Sequence, residues 1–201
     1  MSKMKFSPVP QYAFKKVTDI TPEFLQLLGV RFLMVDMDNT IATYGVHSPS
    51  AEVMKWADAM KRGGVGLFIV SNTRRAARVT AFAEALGVGH VRNAYKPSPK
   101  GIHNALRLAG YGAEESAFAG DQVYTDVLAA NRAGVLSFAV RPLSLQNPLI
   151  AIRYALEAPF RALCKNKMGS GNRAAGTEKR PQTPGEVLRQ FKPPSSEGGC
   201  V

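Results

Sequence analysis

Short apolar runs recur along this chain, each ending in a polar turn that leads into a stretch with helical patterning. This alternation restricts the possible folds more than any other feature. Arg31 to Val35 (RFLMV) and Val65 to Val70 (VGLFIV) are the clearest runs, and Ser116 to Ala119 and Val135 to Val140 follow the same form. A strand with apolar side chains on both faces must be covered on both, a condition met by a parallel sheet with helices on either side. The stretches between the runs supply those helices. Ala51 to Met60 places Val53, Trp56, Ala57 and Met60 on one face and stops at Gly63-Gly64. Arg75 to Leu86 stops at Gly87, and Pro99 to Ala109 stops at Gly110. The expected fold class is α/β, a Rossmann-like three-layer core around a parallel sheet. With 201 residues, 45% of them apolar, the chain can fill one such core and still carry appendages.

The core is expected over residues 28–142. Ahead of it, residues 1–27 read as an arm in which Lys3, Lys5, Lys15 and Lys16 interleave with Phe6, Tyr12 and Phe14, a mix suited to an anionic membrane interface. After it, residues 143–165 (LSLQNPLIAIRYALEAPFRALC and a lysine) read as an amphipathic helix with a wide apolar face. Arg153, Glu157 and Arg161 form its charged stripe at four-residue spacing. That helix can pack on the domain or lie on a membrane, although Pro148 and Pro159 argue against deep insertion. In residues 166–201, glycine, serine, proline and scattered charge replace periodic apolar residues. Such a tail cannot repay the entropy of ordering and is expected to be disordered.

The formal net charge of +11 makes anionic partners plausible and says nothing of fold. The two cysteines, Cys164 and Cys200, lie outside the motif-bearing region, so a disulfide framework or a cysteine-rich metal site is excluded. The first residues lack the continuous apolar stretch of a secretory signal, and no run reaches the roughly 18–20 apolar residues of a spanning helix. Cys200 is second from the end, where prenylation needs the fourth. The expected location is cytoplasmic, peripheral at most on the inner face of the membrane. No stacking module for nucleic acid is visible, so none is expected as a partner.

Four polar clusters fall where the alternation puts the carboxyl ends of strands, the edge at which open parallel sheets bind ligands. The first, Asp36-Met37-Asp38-Asn39-Thr40, follows RFLMV directly. Two acids so spaced can divide the labour of phosphoryl transfer, one as covalent nucleophile and the other as proton donor and acceptor. A plain acidic turn would have the same residues. A calcium loop is excluded, because its fifth, sixth and twelfth places hold Thr40, Ile41 and His47. The second cluster, Ser71-Asn72-Thr73, offers hydroxyl, amide and backbone donors for phosphate oxygens, or a simple helix cap. The third is Lys96, next to the proline-stiffened turn Pro97-Ser98-Pro99, either a phosphate contact or a solvated surface cation. The fourth, Gly120 to Asp126 (GDQVYTD), adds carboxylates that can complete a hard-cation site.

In order and spacing together, Asp-x-Asp-x-Thr, then Ser after a strand, then Lys-Pro, then Gly-Asp-x-x-x-x-Asp resembles the haloacid dehalogenase (HAD) superfamily, over roughly Val30 to Arg141. The resemblance implies Asp36 as nucleophile, Asp38 as general acid and base, and Ser71 and Lys96 as phosphate holders, beside which the amide of Asn72 is a further expected phosphate contact. It implies a Mg2+ site of Asp36, the main-chain carbonyl of Asp38 and Asp121, with Asp126 as a further ligand or as a partner that orients the ligands. An acid at Asp38 favours a phosphatase over the superfamily's transport ATPases and dehalogenases. Receiver domains place an acidic pair one strand-helix unit earlier, and none ends a strand before Asp36. Neither gap between motifs has room for a cap domain. The lead-in Pro10-Gln11-Tyr12 with Asp19 to Pro22, and Asn131-Arg132-Ala133-Gly134, resemble the capless YqeG-type subclass IIIA phosphatases, a branch similar to the mitochondrial phosphatidylglycerophosphate phosphatase. A phosphorylated substrate is thus implied, a lipid headgroup such as phosphatidylglycerophosphate first, with a soluble phosphomonoester as the alternative. A non-enzymatic anion or nucleic-acid binder would have no use for Asp38.

Overall fold

The computed structural model describes residues 7–73, 75–164 and 166–168, so residues 1–6 of the expected arm and the expected tail from 169 onward lie outside it. Seven strands form one sheet: β1 (Tyr12–Phe14), β2 (Phe32–Val35), β3 (Gly66–Val70), β4 (Gly89–Val91), β5 (Ser116–Gly120), β6 (Leu136–Val140) and β7 (Asn166–Met168). Their spatial order is β4-β3-β2-β5-β6-β1-β7, and every neighbouring pair is parallel. From β2 the chain steps outward through β3 and β4, then returns to the other side of β2 for β5 and β6. The β2–β5 boundary is therefore the switch point of the sheet, where a crevice opens outside the strand ends.

Side-chain alternation along the strands builds two cores. Leu33 and Val35 of β2 join Leu67 and Ile69 of β3 on one face, covered by α1 (Pro22–Leu27), α2 (Ala51–Arg62) and α3 (Ala76–Leu86). Phe32 and Met34 join Phe68 and Val70 on the other, covered by α4 (Lys100–Ala109) and α5 (Leu128–Ala133). The expected three-layer α/β fold is what the chain adopts. On α2 the predicted face of Val53, Trp56, Ala57 and Met60 is the buried one. Between Asp38 and Ser71 the only helix or named strand is α2 followed by β3, and between Ser71 and Lys96 there are α3 and β4, so neither gap holds a cap.

The two ends of the described chain differ from the sequence-based expectation. Residues 12–14, read as part of the basic and aromatic arm, pair with β6 and β7 inside the sheet. Their aromatic rings explain it. Tyr12 and Phe14 meet Phe24 edge-on at 5.3 and 5.5 Å, and Phe138 of β6 closes the cluster. At the other end the expected single helix is two, α6 (Pro148–Leu156) and α7 (Ala158–Ala162), interrupted near Pro159, which has no N–H to continue the helix. The helix pair packs on the domain, but with the faces reversed: Glu157 of the charged stripe is fully buried, while Leu149, Ile152 and Leu156 are 74%, 58% and 63% exposed.

Candidate active site

Asp36, Ser71, Lys96, Asp121 and Asp126 all converge at the carboxyl edge of the sheet. β2 delivers Asp36, β3 delivers Ser71 and β5 delivers Asp121, each as the first residue after its strand. The backbone N–H of Asp36 still donates to Ala119 O at 2.9 Å, which ties the nucleophile candidate to the neighbouring strand. Lys96 is buried among them. Its Nζ donates to Asp36 Oδ1 at 2.6 Å and to Val70 O at 3.1 Å, and pairs with Asp126 Oδ1 at 2.8 Å. It is not the solvated surface cation that a lone lysine would usually be. Burial opposes its charge, but Asp126 and Asp36 outweigh burial and hold its pKa above the ordinary lysine value.

Asp126 reaches the site because the helical turn Val123–Val127 is wound wide and folds its carboxylate back over Gly120. Any Cβ on Gly120 would collide with that carboxylate, so the position requires glycine. Asp126 Oδ2 also accepts from the Gln122 N–H at 3.0 Å. Asp36, Asp121 and Asp126 are all buried and offer carboxylate oxygens within 4.8 Å of one another. Burial, followed by the mutual repulsion of the acids, raises Asp36 to about 7 and Asp121 to about 8. Asp121 Oδ1 is buried and has no hydrogen-bond partner among the described residues. An orphaned carboxylate oxygen inside a set of hard donors fits a small divalent cation, and Mg2+ suits all-oxygen ligation of this kind. Asp36, Asp121 and Asp126 are the side chains that would hold it.

The remaining candidates are placed as follows. Ser71 is buried at the head of the pocket, its backbone bridging Val91 and Ala94 and its Oγ accepting from Thr73 N. Asn72 lines the same pocket, but its amide brackets the backbone of Lys96: Oδ1 accepts from Lys96 N at 2.8 Å and Nδ2 donates to Lys96 O at 2.9 Å. It braces the lysine loop from within the pocket. The cavity, of about 380 Å3, is lined by Asp36, Asp38, Tyr44, Ser71, Lys96 and Arg75, among others. Burial and then the Asp121 and Asp38 carboxylates raise the Tyr44 phenol.

Three features of the site escaped the sequence reading. Asn39, in a left-handed conformation at φ 64°, exchanges two amide hydrogen bonds with Ser144 and so pins the loop before α6 to the turn after β2. Arg78 of α3 reaches Asp38. From the C-terminal helices, Arg153 Nη2 donates to Asp121 Oδ2 at 3.2 Å and Arg161 donates to the Asp121 carbonyl, with Glu157 held between them, 3.0 Å from Arg161. Asn39 stands within the first polar cluster and Arg153, Glu157 and Arg161 within the charged stripe, but neither pattern says what they meet, and Arg78 shows in sequence only as a cation among the apolar residues of α3.

The profile of the haloacid dehalogenase-like hydrolases matches residues 15–134, which include every candidate site residue. A curated relative, "Probable phosphatase YqeG" of Bacillus subtilis (strain 168), is 32% identical over 142 residues, spanning 71% of this chain and 82% of the relative. Among solved structures, 3-deoxy-D-manno-octulosonate 8-phosphate phosphatase from Moraxella catarrhalis, in complex with magnesium, phosphate and KDO, aligns over 74% of this chain and 82% of its own. That alignment has 16% identity and a TM-score of 0.49. The cobalt-bound deoxy-D-mannose-octulosonate 8-phosphate phosphatase (YrbI) of Haemophilus influenzae covers 68% of this chain and 92% of its own, at 15% identity and a TM-score of 0.48. The profile and the curated relative agree with the order of motifs along the strand ends: the chain belongs to the haloacid dehalogenase-like hydrolases and is a phosphatase of that family.

Proposed function

We propose that this protein removes the terminal phosphate of a phosphatidylglycerophosphate-type lipid, leaving phosphatidylglycerol, from a peripheral position on the membrane. The observation that carries the reading is an uncapped site flanked by exposed apolar side chains. Leu149, Ile152 and Leu156 stand on the outer side of the same helix whose Arg153 reaches Asp121, so an apolar surface lies beside the acid cluster. A site without a cap accepts a phosphate carried on something large. Among the described residues, no helix is long and apolar enough to cross a membrane, so contact would be superficial.

In this reading an Asp36 carboxylate oxygen attacks phosphorus and the ester P–O bond breaks. Asp38 gives its proton to the departing alcohol oxygen. Water then attacks the aspartyl phosphate, Asp38 takes its proton, and the Asp36 carboxylate and inorganic phosphate are restored. Lys96, already on Asp36, and Ser71 hold the phosphoryl oxygens, and Asn72 keeps Lys96 in place. Mg2+ bound by Asp36, Asp121 and Asp126, with the Asp38 carbonyl, would offset the charge of the phosphate among the acids.

The test is hydrolysis by the purified full chain with Mg2+ on phosphatidylglycerophosphate in mixed micelles, beside a panel of soluble phosphate esters. The lipid is expected to be preferred, and the combined change of Leu149, Ile152 and Leu156 to Gln should lower its rate without touching soluble substrates. Preference for a soluble ester defeats the lipid assignment. Normal turnover by Asp36→Asn would defeat the mechanism.

A further inference from the structure

One buried cation in the pocket has every nitrogen of its side chain bonded to the protein. Arg78, in the first turn of α3, is 4% exposed. Its Nε donates to Val46 O at 2.7 Å, its Nη2 to Thr43 O at 3.1 Å and its Nη1 to Asp38 Oδ1. Burying a guanidinium is costly unless its donors are matched, and here all three of its nitrogens have partners on the loop that leaves β2. The two carbonyls bracket Tyr44 and Gly45, which line the cavity, and the third contact is the carboxylate of the acid pair.

We infer that Arg78 is a positioning residue for proton transfer: it fixes the direction of the Asp38 carboxylate toward the ester oxygen and holds the 43–46 loop at the matching distance. The inference rests on the assignment of Asp38 as the acid and base. The planar guanidinium holds its three nitrogens in one fixed arrangement, so the single bond from Nη1 to Asp38 Oδ1 is set relative to the Thr43 and Val46 carbonyls, whereas a lysine ammonium could not hold all three at once. The Asp38 side chain is 18% exposed and so has room to turn if released. A general acid that has turned away loses most of its effect even when it remains in the site, because proton transfer needs hydrogen-bond reach to the departing oxygen.

A purely structural staple and a positioning residue make different demands on the leaving group. An aryl alcohol departs as a stabilised anion and needs little help, whereas an alkyl alcohol must receive a proton as it leaves. The experiment compares kcat/KM for p-nitrophenyl phosphate and glycerol 3-phosphate in the Mg2+-loaded wild type, Arg78→Lys, Asp38→Asn and the double variant. Both esters are soluble, so the outcome does not depend on the lipid assignment. Arg78→Lys is expected to lose about 10- to 100-fold on glycerol 3-phosphate and less than about 3-fold on the aryl ester. Asp38→Asn should show the same split, and the double variant should be no worse than Asp38→Asn alone. Equal loss on both esters in Arg78→Lys, or losses that multiply in the double variant, overturns the inference. Equal loss on both esters in Asp38→Asn instead overturns the assignment of Asp38 beneath it. Should Arg78→Lys fold poorly, Arg78→Ala with added ethylguanidinium serves: selective recovery of the alkyl rate supports positioning, and recovery of neither or both equally overturns it.

Discussion

α3 and α6 each hand an arginine to an aspartate of the site, yet opposite forces fasten them to the domain. α3 is held by apolar burial. Val79, Phe82, Ala83 and Leu86 sit in the core beneath the sheet, and Arg78 shares their face. α6 buries one apolar residue, Ile150, and is held through charge, by Arg153 on Asp121 and by Glu157 and Arg161 where it meets α7. The surfaces they cover explain the difference. α3 lies on the apolar face of the sheet, whereas α6 lies over its carboxyl edge, where buried acids would be left uncompensated without cations. An amphipathic helix turns inward whichever face its partner surface can satisfy, and at an acid-rich edge that is the charged one.

The comparison breaks most easily through one residue from each helix. Phe82 is fully buried, so Phe82→Ala should lower unfolding free energy by about 4 kcal/mol, measured by denaturant titration. Glu157→Ala removes the carboxylate from between two arginines at a fully buried position and should cost about 3 kcal/mol. It should also make the α6–α7 backbone exchange amide hydrogens faster while α3 stays protected. If apolar packing held α6 in place, Glu157→Ala would cost no more than a surface change, within about 0.5 kcal/mol.

The same contrast marks what a reader of the sequence can recover. Asp36, Ser71 and Asp121 follow runs whose burial on both sides leaves no doubt that they are strands, so the site edge follows from patterning alone. β1 and β4 leave no such mark, because three residues set by cross-strand aromatic contacts or by one neighbour are too short to show a period. Periodicity does place Arg153, Glu157 and Arg161 on one face, but it cannot say what that face meets. Arg78 is hidden for a related reason: it lies on the buried stripe of α3, where a lone cation looks like noise until the loop above it is in place. Asn72 is legible as a site residue, and only the fold shows that its amide brackets the backbone of Lys96.

A divalent cation should sharpen the comparison, because the proposed site would hold it at the aspartate that α6 contacts and not at the side chain that α3 contacts. Asp36 and Asp121 are both raised above their unfolded values. Between the unfolded and folded values the native chain therefore carries more protons than the unfolded chain, and stability falls as pH rises. The favourable contribution is complete below the ordinary carboxylate range and gone once pH passes about 7 to 8. The metal-free protein should thus melt at a higher temperature at pH 5 than at pH 8.5. Mg2+ competes with protons for the same oxygens, so its stabilisation should grow with pH, reaching about 2.7 kcal/mol at a hundredfold excess over its dissociation constant. Asp121→Asn should flatten the slope and remove most of the Mg2+ gain, because it takes away a buried carboxylate oxygen that has no hydrogen-bond partner among the described residues, together with the charge that Arg153 offsets. Arg78→Lys should leave both the slope and the Mg2+ gain in place, since its contacts are with the Asp38 carboxylate and the 43–46 loop and not with the acid trio or the Asp38 carbonyl. An equal loss of Mg2+ stabilisation in the two variants would mean that the arginine of α3 also supports the cation site, and the division between the helices would fail.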